Sequence, residues 1–140
     1  MGGQLHVRVM IVEDEPTFQE LVQLVLSLDP MFEVISAAGT GEEALERLEE
    51  ACPDLVLLDF HLPGMDGLET ARYIKRQCPN TRIALVTAHV EDVLERLAKN
   101  VQIQEVIPKS KFSLERVRAL LPSPPEPEGQ GCCSNATRTF

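Results

Sequence analysis

The chain has 140 residues, 44% apolar and 25% charged, a length and balance that suit one soluble domain around one substantial core. Its net charge of −9 disfavours nonspecific binding to DNA or to an anionic membrane, and no basic stripe argues otherwise. No apolar run approaches membrane-spanning length, and MGGQLHVRVM lacks a charged leader followed by an apolar signal core, so a cytoplasmic protein with no membrane or direct nucleic-acid partner is expected.

Val7 to Val12 (VRVMIV) is an almost unbroken apolar run and reads as the first strand, followed at once by Glu13 and Asp14. Pro16 fits the first turn of a helix, where a missing N–H costs little. Phe18, Leu21, Val22 and Val25 then recur at helical spacing, and Asp29-Pro30 ends the helix. Glu33 to Ala38 is the second strand. Thr40-Gly41-Glu42-Glu43 reads as a capping box, with Ala44, Leu45 and Leu48 as the apolar face of the next helix. The AGTGEE stretch lacks the glycine spacing and the lysine of a phosphate loop, and its glutamates would repel an anion.

Leu55 to Leu58 runs without a break into Asp59, the pattern of a strand buried on both faces that ends at the sheet's carboxyl edge. Pro63, Gly64 and Gly67 make the loop after it tight. Asp66 or Gly67 opens a third helix with Leu68, Ala71, Tyr73 and Ile74 as its apolar contacts, closed by Cys78-Pro79-Asn80. Arg82 to Val86 is the fourth strand and leads into Thr87-Ala88-His89. Val90, Val93, Leu94 and Leu97 mark a fourth helix. Ile103 to Ile107 is the fifth strand, followed by Pro108, Lys109 and Ser110, and Leu114, Val117, Leu120 and Leu121 mark the last helix.

Strands alternating with helices in this way predict an α/β fold with a doubly wound, five-stranded parallel sheet and five helices, for which the flavodoxin-like order 2-1-3-4-5 suits the count. The domain is expected over residues 5–121. Residues 122–140 change to PSPPEPEGQG and CCSNATRTF, the composition of a flexible tail or linker. The four cysteines, Cys52, Cys78, Cys132 and Cys133, show no zinc-type spacing, and reduced thiols are the expectation for a cytosolic chain.

The residues at the strand ends form a set. Strands one and three are neighbours in the expected order, so Glu13, Asp14 and Asp59 converge on one crevice. Three carboxylates there repel one another and call for a cation; hard oxygen donors suit Mg²⁺. Thr87 adds a hydroxyl and Lys109 a compact positive charge. Any one of these residues is explained well enough as a turn cap or a structural ion pair, but that reading fits poorly when all five fall at strand ends. Together they suit phosphoryl transfer to a carboxylate.

From Val7 to Leu121 the chain resembles the receiver domains of two-component response regulators. The matching motifs are VEDE, LLDFHLPGMDG, VTAH and PKS. The resemblance implies that Asp59 accepts phosphate from a sensor histidine kinase or phosphotransfer protein, with Asp14, Asp59 and the main-chain carbonyl of His61 on Mg²⁺ and Glu13 acting through water. Thr87 and Lys109 would contact the phosphoryl group, and the protein would be no enzyme beyond catalysing its own phosphorylation and dephosphorylation. His61 and His89 occupy the positions that flank the phosphoryl group in receivers and are expected to tune its lifetime. The fourth helix, fifth strand and fifth helix form the surface that receivers use for homodimers.

Two positions depart from the family pattern. Receivers often carry an aromatic residue three positions before the lysine, preceded by glycine; here these are Val106 and Glu105. The competing reading is therefore a receiver-fold interaction module that is not phosphorylated. An aspartate-nucleophile phosphatase would want an acid where His61 stands, and a flavodoxin-type carrier would want a hydroxyl-rich loop where Glu13-Asp14-Glu15 stand. LPGMDGLE and the KS pair are similar to regulators with a helix-turn-helix output domain, which this chain does not carry.

Overall fold

Strands β1 (Val7–Val12), β3 (Leu55–Leu58) and β4 (Arg82–Thr87) are almost wholly buried, and β2 (Phe32–Ala38) and β5 (Glu105–Pro108) flank them less completely covered. In this computed structural model, which describes residues 6–48, 50–88 and 92–121, the strands form one sheet in the order β2-β1-β3-β4-β5. All four pairings are parallel. The continuous apolar runs thus belong to strands covered by helices on both faces, as a parallel sheet requires. No helix among the described residues is long and apolar enough to cross a membrane.

The helices divide between the two faces. Successive strand residues point to opposite sides of the sheet. Met10, Val12, Val56, Leu58, Ile83 and Leu85 therefore meet α2 (Gly41–Leu48), α3 (Gly67–Gln77) and α4 (Asp92–Asn100) in one apolar cluster. Val9, Ile11, Leu55, Leu57, Ala84, Val86 and Ile107 meet α1 (Pro16–Ser27) and α5 (Leu114–Arg118) in the other.

Caps set the helix starts. Glu15 accepts from the Phe18 N–H at 2.6 Å with Pro16 next in line, and Asp66 accepts from the Glu69 N–H at 2.9 Å. Thr40 accepts from the Glu43 N–H at 3.0 Å, and the Glu43 carboxylate reaches back to the Gly39 N–H at 3.0 Å, one residue earlier than in the usual box.

The fifth strand starts later than its sequence suggests. Ile103 is apolar because it caps a helix, not because it pairs in the sheet. After α4 the Gln102 N–H bonds Lys99 O and the Ile103 N–H bonds Ala98 O, at 3.1 and 3.0 Å, with Gln102 in the left-handed region at φ 65°. This is the usual left-handed helix stop, with glutamine where glycine is preferred. Gln102→Gly should therefore stabilise the fold by about 0.5–1 kcal/mol, the relief at φ outweighing the extra freedom of the unfolded chain. The check is a higher denaturant midpoint at unchanged slope; a lower midpoint would show that the left-handed turn costs glutamine nothing.

Three apolar side chains assigned inward by helical spacing point out. Leu21 is 45%, Tyr73 41% and Leu97 39% exposed. The sheet covers only one stripe of each helix, and Val22 with Leu26, Ile74, and Leu94 with Ala98 fill it. The cysteines also differ from expectation. Cys52 and Cys78 are joined in a disulfide, with Cα atoms 5.8 Å apart. β3 and β4 are parallel neighbours, so the segments just ahead of them, which carry these two residues, lie side by side at one sheet edge. Cys132, Cys133 and the rest of the proline-rich tail lie outside the described residues.

Candidate functional site

The carboxyl edge of the sheet gathers the charged residues. There β1, β3 and β5 each hand the chain to a loop whose first residue is charged: Glu13, Asp59 and Lys109. Glu13 follows β1 with its N–H on Ala38 O at 2.9 Å, and Asp59 follows β3 with its N–H on Val12 O at 2.9 Å. The ladder therefore extends through both acids and holds their backbones in the sheet's own register. Glu13 continues the row of Val9 and Ile11, Asp59 that of Leu55 and Leu57, and Lys109 that of Ile107. All three side chains thus emerge on the α1–α5 side, which is why they meet.

Glu13 and Asp59 are 3% and 4% exposed, whereas Asp14 faces solvent. Lys109 Nζ lies 3.1 Å from Glu13 Oε2 and 3.5 Å from Asp59 Oδ2. Asp59 Oδ1 accepts from the His61 N–H at 3.2 Å, and Glu13 Oε2 accepts from the Glu15 N–H at 3.1 Å. Thr87 ends β4 fully buried, in register with Pro108 of β5 and one strand from Asp59. His61 is exposed, with its ring edge-on to Phe60 at 4.7 Å. His89 and Val90 lie outside the described residues.

Burial is the largest influence on the Glu13 carboxyl, and with the Asp59 charge beside it outweighs Lys109 and the Glu15 N–H, raising its pKa from 4.5 to about 7. Burial pulls the Lys109 ammonium down, but the Glu13 hydrogen bond and the Asp59 charge overcome this and leave it raised. The sign for stability follows from Glu13. Its folded form holds a proton more tightly than the unfolded chain, so stability present below pH 4.5 is lost as pH rises towards about 7. In chelator, the difference in unfolding free energy between wild type and Glu13→Gln should change across that window, with a slope of at most about 1.4 kcal/mol per pH unit. A pH-independent difference between the two proteins would rule out this proton.

One carboxylate oxygen from each of Glu13, Asp14 and Asp59 lies within 4.8 Å of the others. Three hard oxygen donors, one of them open to water, fit a divalent cation such as Mg²⁺. Sequence reasoning singled out these acids but missed what seats the lysine. Lys109 Nζ stands 4.8 Å from the centre of the Phe18 ring, which itself meets Phe112 edge-on at 5.9 Å. The Gln19 side chain donates to Glu13 O at 2.9 Å. An aromatic residue one turn into the helix that follows an acidic pair was the available signal; periodicity assigned it to the core.

A family model described as the response regulator receiver domain matches residues 9–121. The chain belongs to that family. This receiver domain is 34% identical to the nitrate/nitrite response regulator NarL of Escherichia coli over 101 residues, 71% of this chain and 47% of that protein. It is 40% identical over 90 residues to a protein-glutamate methylesterase/protein-glutamine glutaminase of Syntrophus aciditrophicus, 64% of this chain and 26% of that protein. The receiver thus spans only about a quarter to a half of the length of these curated relatives. Among solved structures, the signal receiver domain of NarL from Mycobacterium tuberculosis superimposes with a TM-score of 0.76 at 34% identity, covering 83% of this chain and 94% of that one.

Proposed function

We propose that this receiver accepts a phosphoryl group on Asp59 from the phosphohistidine of a sensor kinase or phosphotransfer protein, in a Mg²⁺-dependent reaction, and passes the signal on by a change of conformation. The observation that carries this reading is the convergence of Glu13, Asp14, Asp59 and Lys109 on one sheet edge. The His61 N–H holds Asp59 Oδ1, which leaves Oδ2, beside Lys109, as the nucleophile. Oδ2 attacks phosphorus in line with the departing imidazole, and the P–N bond breaks as the P–O bond forms. Lys109 and the Thr87 hydroxyl take up charge on the equatorial oxygens. Asp14, Asp59 and the main-chain carbonyl of His61 would hold the metal directly, with Glu13 acting through water. Bound there, Mg²⁺ supplies the positive charge that lets three carboxylates face an incoming phosphate. His61 and His89 would set how readily water reaches the acyl phosphate.

A cytoplasmic location, control of a helix-turn-helix output domain or other partner, and homodimerisation through α4, β5 and α5 belong to the same proposal. The second reading, an interaction module that is not phosphorylated, draws on one observation. Glu105 is tied to Arg116 at 2.8 Å beside Val106, where receivers often place a glycine and a mobile aromatic ring. Intact-protein mass after incubation with acetyl phosphate separates the two. A Mg²⁺-dependent gain of one phosphoryl group, labile to hydroxylamine and mapped to the peptide holding Asp59, supports the phosphoacceptor. Folded protein that gains no mass supports the module.

A further inference from the structure

Cys52 and Cys78 lie at the amino-terminal edge of the sheet, opposite the acid cluster, and the proposed phosphoryl chemistry makes no use of them. Their bridge spans 26 positions, and β3, Asp59 and α3 all fall within the loop it closes. The two residues are unlike. Cys78 is 2% exposed and packs in the core cluster with Ile74 and Ile83, whereas Cys52 is exposed. An incoming thiolate therefore reaches the Cys52 sulfur and not its partner.

The backbone around the pair is held without the bridge. The Thr81 hydroxyl donates to Pro53 O at 2.7 Å from a buried position, and the Arg82 N–H donates to Asp54 O at 3.0 Å. The Arg8 guanidinium donates to Cys52 O and the Cys78 N–H to Ile74 O, each at 2.7 Å. None of these four bonds runs through the sulfurs, so on the proposal below they hold the two residues near bridging distance after the bridge opens. A reduced Cys78 stays in the core as a small apolar side chain, and a reduced Cys52 stays beside it facing water.

We infer that Cys52–Cys78 is a site of reversible thiol–disulfide exchange that takes small thiols such as glutathione and the dithiols of protein reductants. In reduction, a reductant thiolate attacks the Cys52 sulfur and forms a mixed disulfide, and Cys78 leaves as a thiolate that takes a proton. A second reductant thiol, deprotonated, attacks its own partner in the mixed disulfide and releases Cys52, which takes the second proton. The protein gains two electrons and two protons, and the reductant becomes a disulfide. Oxidation by glutathione disulfide runs the same steps backwards. The reduced thiols expected of a cytosolic chain and the bridge in the structure are then the two states of one couple. Opening the bridge returns conformational freedom to the unfolded chain, and this chain-entropy effect amounts to a fall in Tm of roughly 5–15 °C.

The test uses the full chain carrying Cys132→Ser and Cys133→Ser, so that only this pair reports. The protein is equilibrated in glutathione buffers from oxidising to reducing, quenched with iodoacetamide in guanidinium so that the buried Cys78 is reached too, and weighed intact, with circular dichroism on the unquenched protein alongside. Two alkyl groups should appear together as the buffer becomes reducing, in protein that stays folded with a lower Tm, and should vanish on return to oxidising buffer. With glutathione disulfide, Cys78→Ala should take up one glutathione and Cys52→Ser none. A bridge that resists every reducing buffer in the folded protein would overturn the proposal. So would thiols that remain alkylatable in oxidising buffer, or equal uptake of glutathione by the two single variants.

Discussion

Asp59→Asn should abolish phosphoryl uptake from acetyl phosphate and at the same time make the metal-free protein more stable. Both effects come from the same oxygen atoms. The amide cannot act as the nucleophile, so the Mg²⁺-dependent mass gain disappears. It still offers Oδ1 to the His61 N–H, and it leaves Lys109 its shorter partner, Glu13, at 3.1 Å. What goes is a buried negative charge beside another, and the Asp59 charge is one of the causes that raise the Glu13 pKa. The expected gain at neutral pH in chelator is about 1–2 kcal/mol, or roughly 4–8 °C in Tm. Calorimetry and intact mass on the same sample check both halves. Continued uptake would place the acceptor elsewhere, and a lower Tm would show that the Asp59–Lys109 pair outweighs the repulsion.

The second large effect is expected at Gly67. A Cβ built there comes 2.5 Å from Asp59 O and 2.7 Å from Phe60 Cα, both backbone atoms that cannot swing aside. The Gly67 N–H also donates to Phe60 O at 2.8 Å, so helix and acceptor loop are pressed together at this point. Gly67→Ala should cost about 2–4 kcal/mol, because the main chain itself has to shift. The shift falls on Asp59, so phosphoryl uptake should slow by roughly tenfold or more in the fraction that remains folded. Gly39→Ala is the control: its Cβ would meet nothing nearer than Glu43 Oε1 at 4.0 Å, and it should leave both readouts almost unchanged. If the two variants unfold at the same denaturant concentration, the close approach at Gly67 carries no such cost.

Two central strands, Val7–Val12 and Leu55–Leu58, were legible to the residue because burial on both faces leaves an almost unbroken apolar run, whereas β4 runs one residue past its expected end, through Thr87. Glu13, Asp59 and Lys109 were legible because each is the first residue after a strand, and Asp14 because it follows Glu13. What sequence could not separate was apolar for one reason from apolar for another. Ile103 looks like strand and serves a helix stop. Leu21, Tyr73 and Leu97 keep helical spacing but fall just outside the stripe that the sheet covers. Glu13 and Asp14 are adjacent acids in sequence, and only the row of Val9 and Ile11 shows which one turns inward to Lys109. The expected strand order already set β3 beside β4, but reduced thiols were the expectation for a cytosolic chain, so the pairing of Cys52 with Cys78 was not drawn from it.

The separation of the two sheet edges decides where the molecule can carry extra chain. Every residue of the acid cluster is set by the length of the strand before it, so a single-residue deletion in β1 or β3 would turn Glu13 or Asp59 to the opposite face. The turns at the other edge set none of these positions. Pro79 and Asn80 are exposed there, between α3 and β4, and Asp29 and Pro30 occupy the matching turn between α1 and β2. Of the two, Asp29 is committed to Arg118 at 2.9 Å, whereas Pro79 meets Lys75 Nζ only through its carbonyl and at 3.5 Å, so Pro79–Asn80 is the turn where a reporter domain could be spliced in with the phosphoacceptor edge untouched.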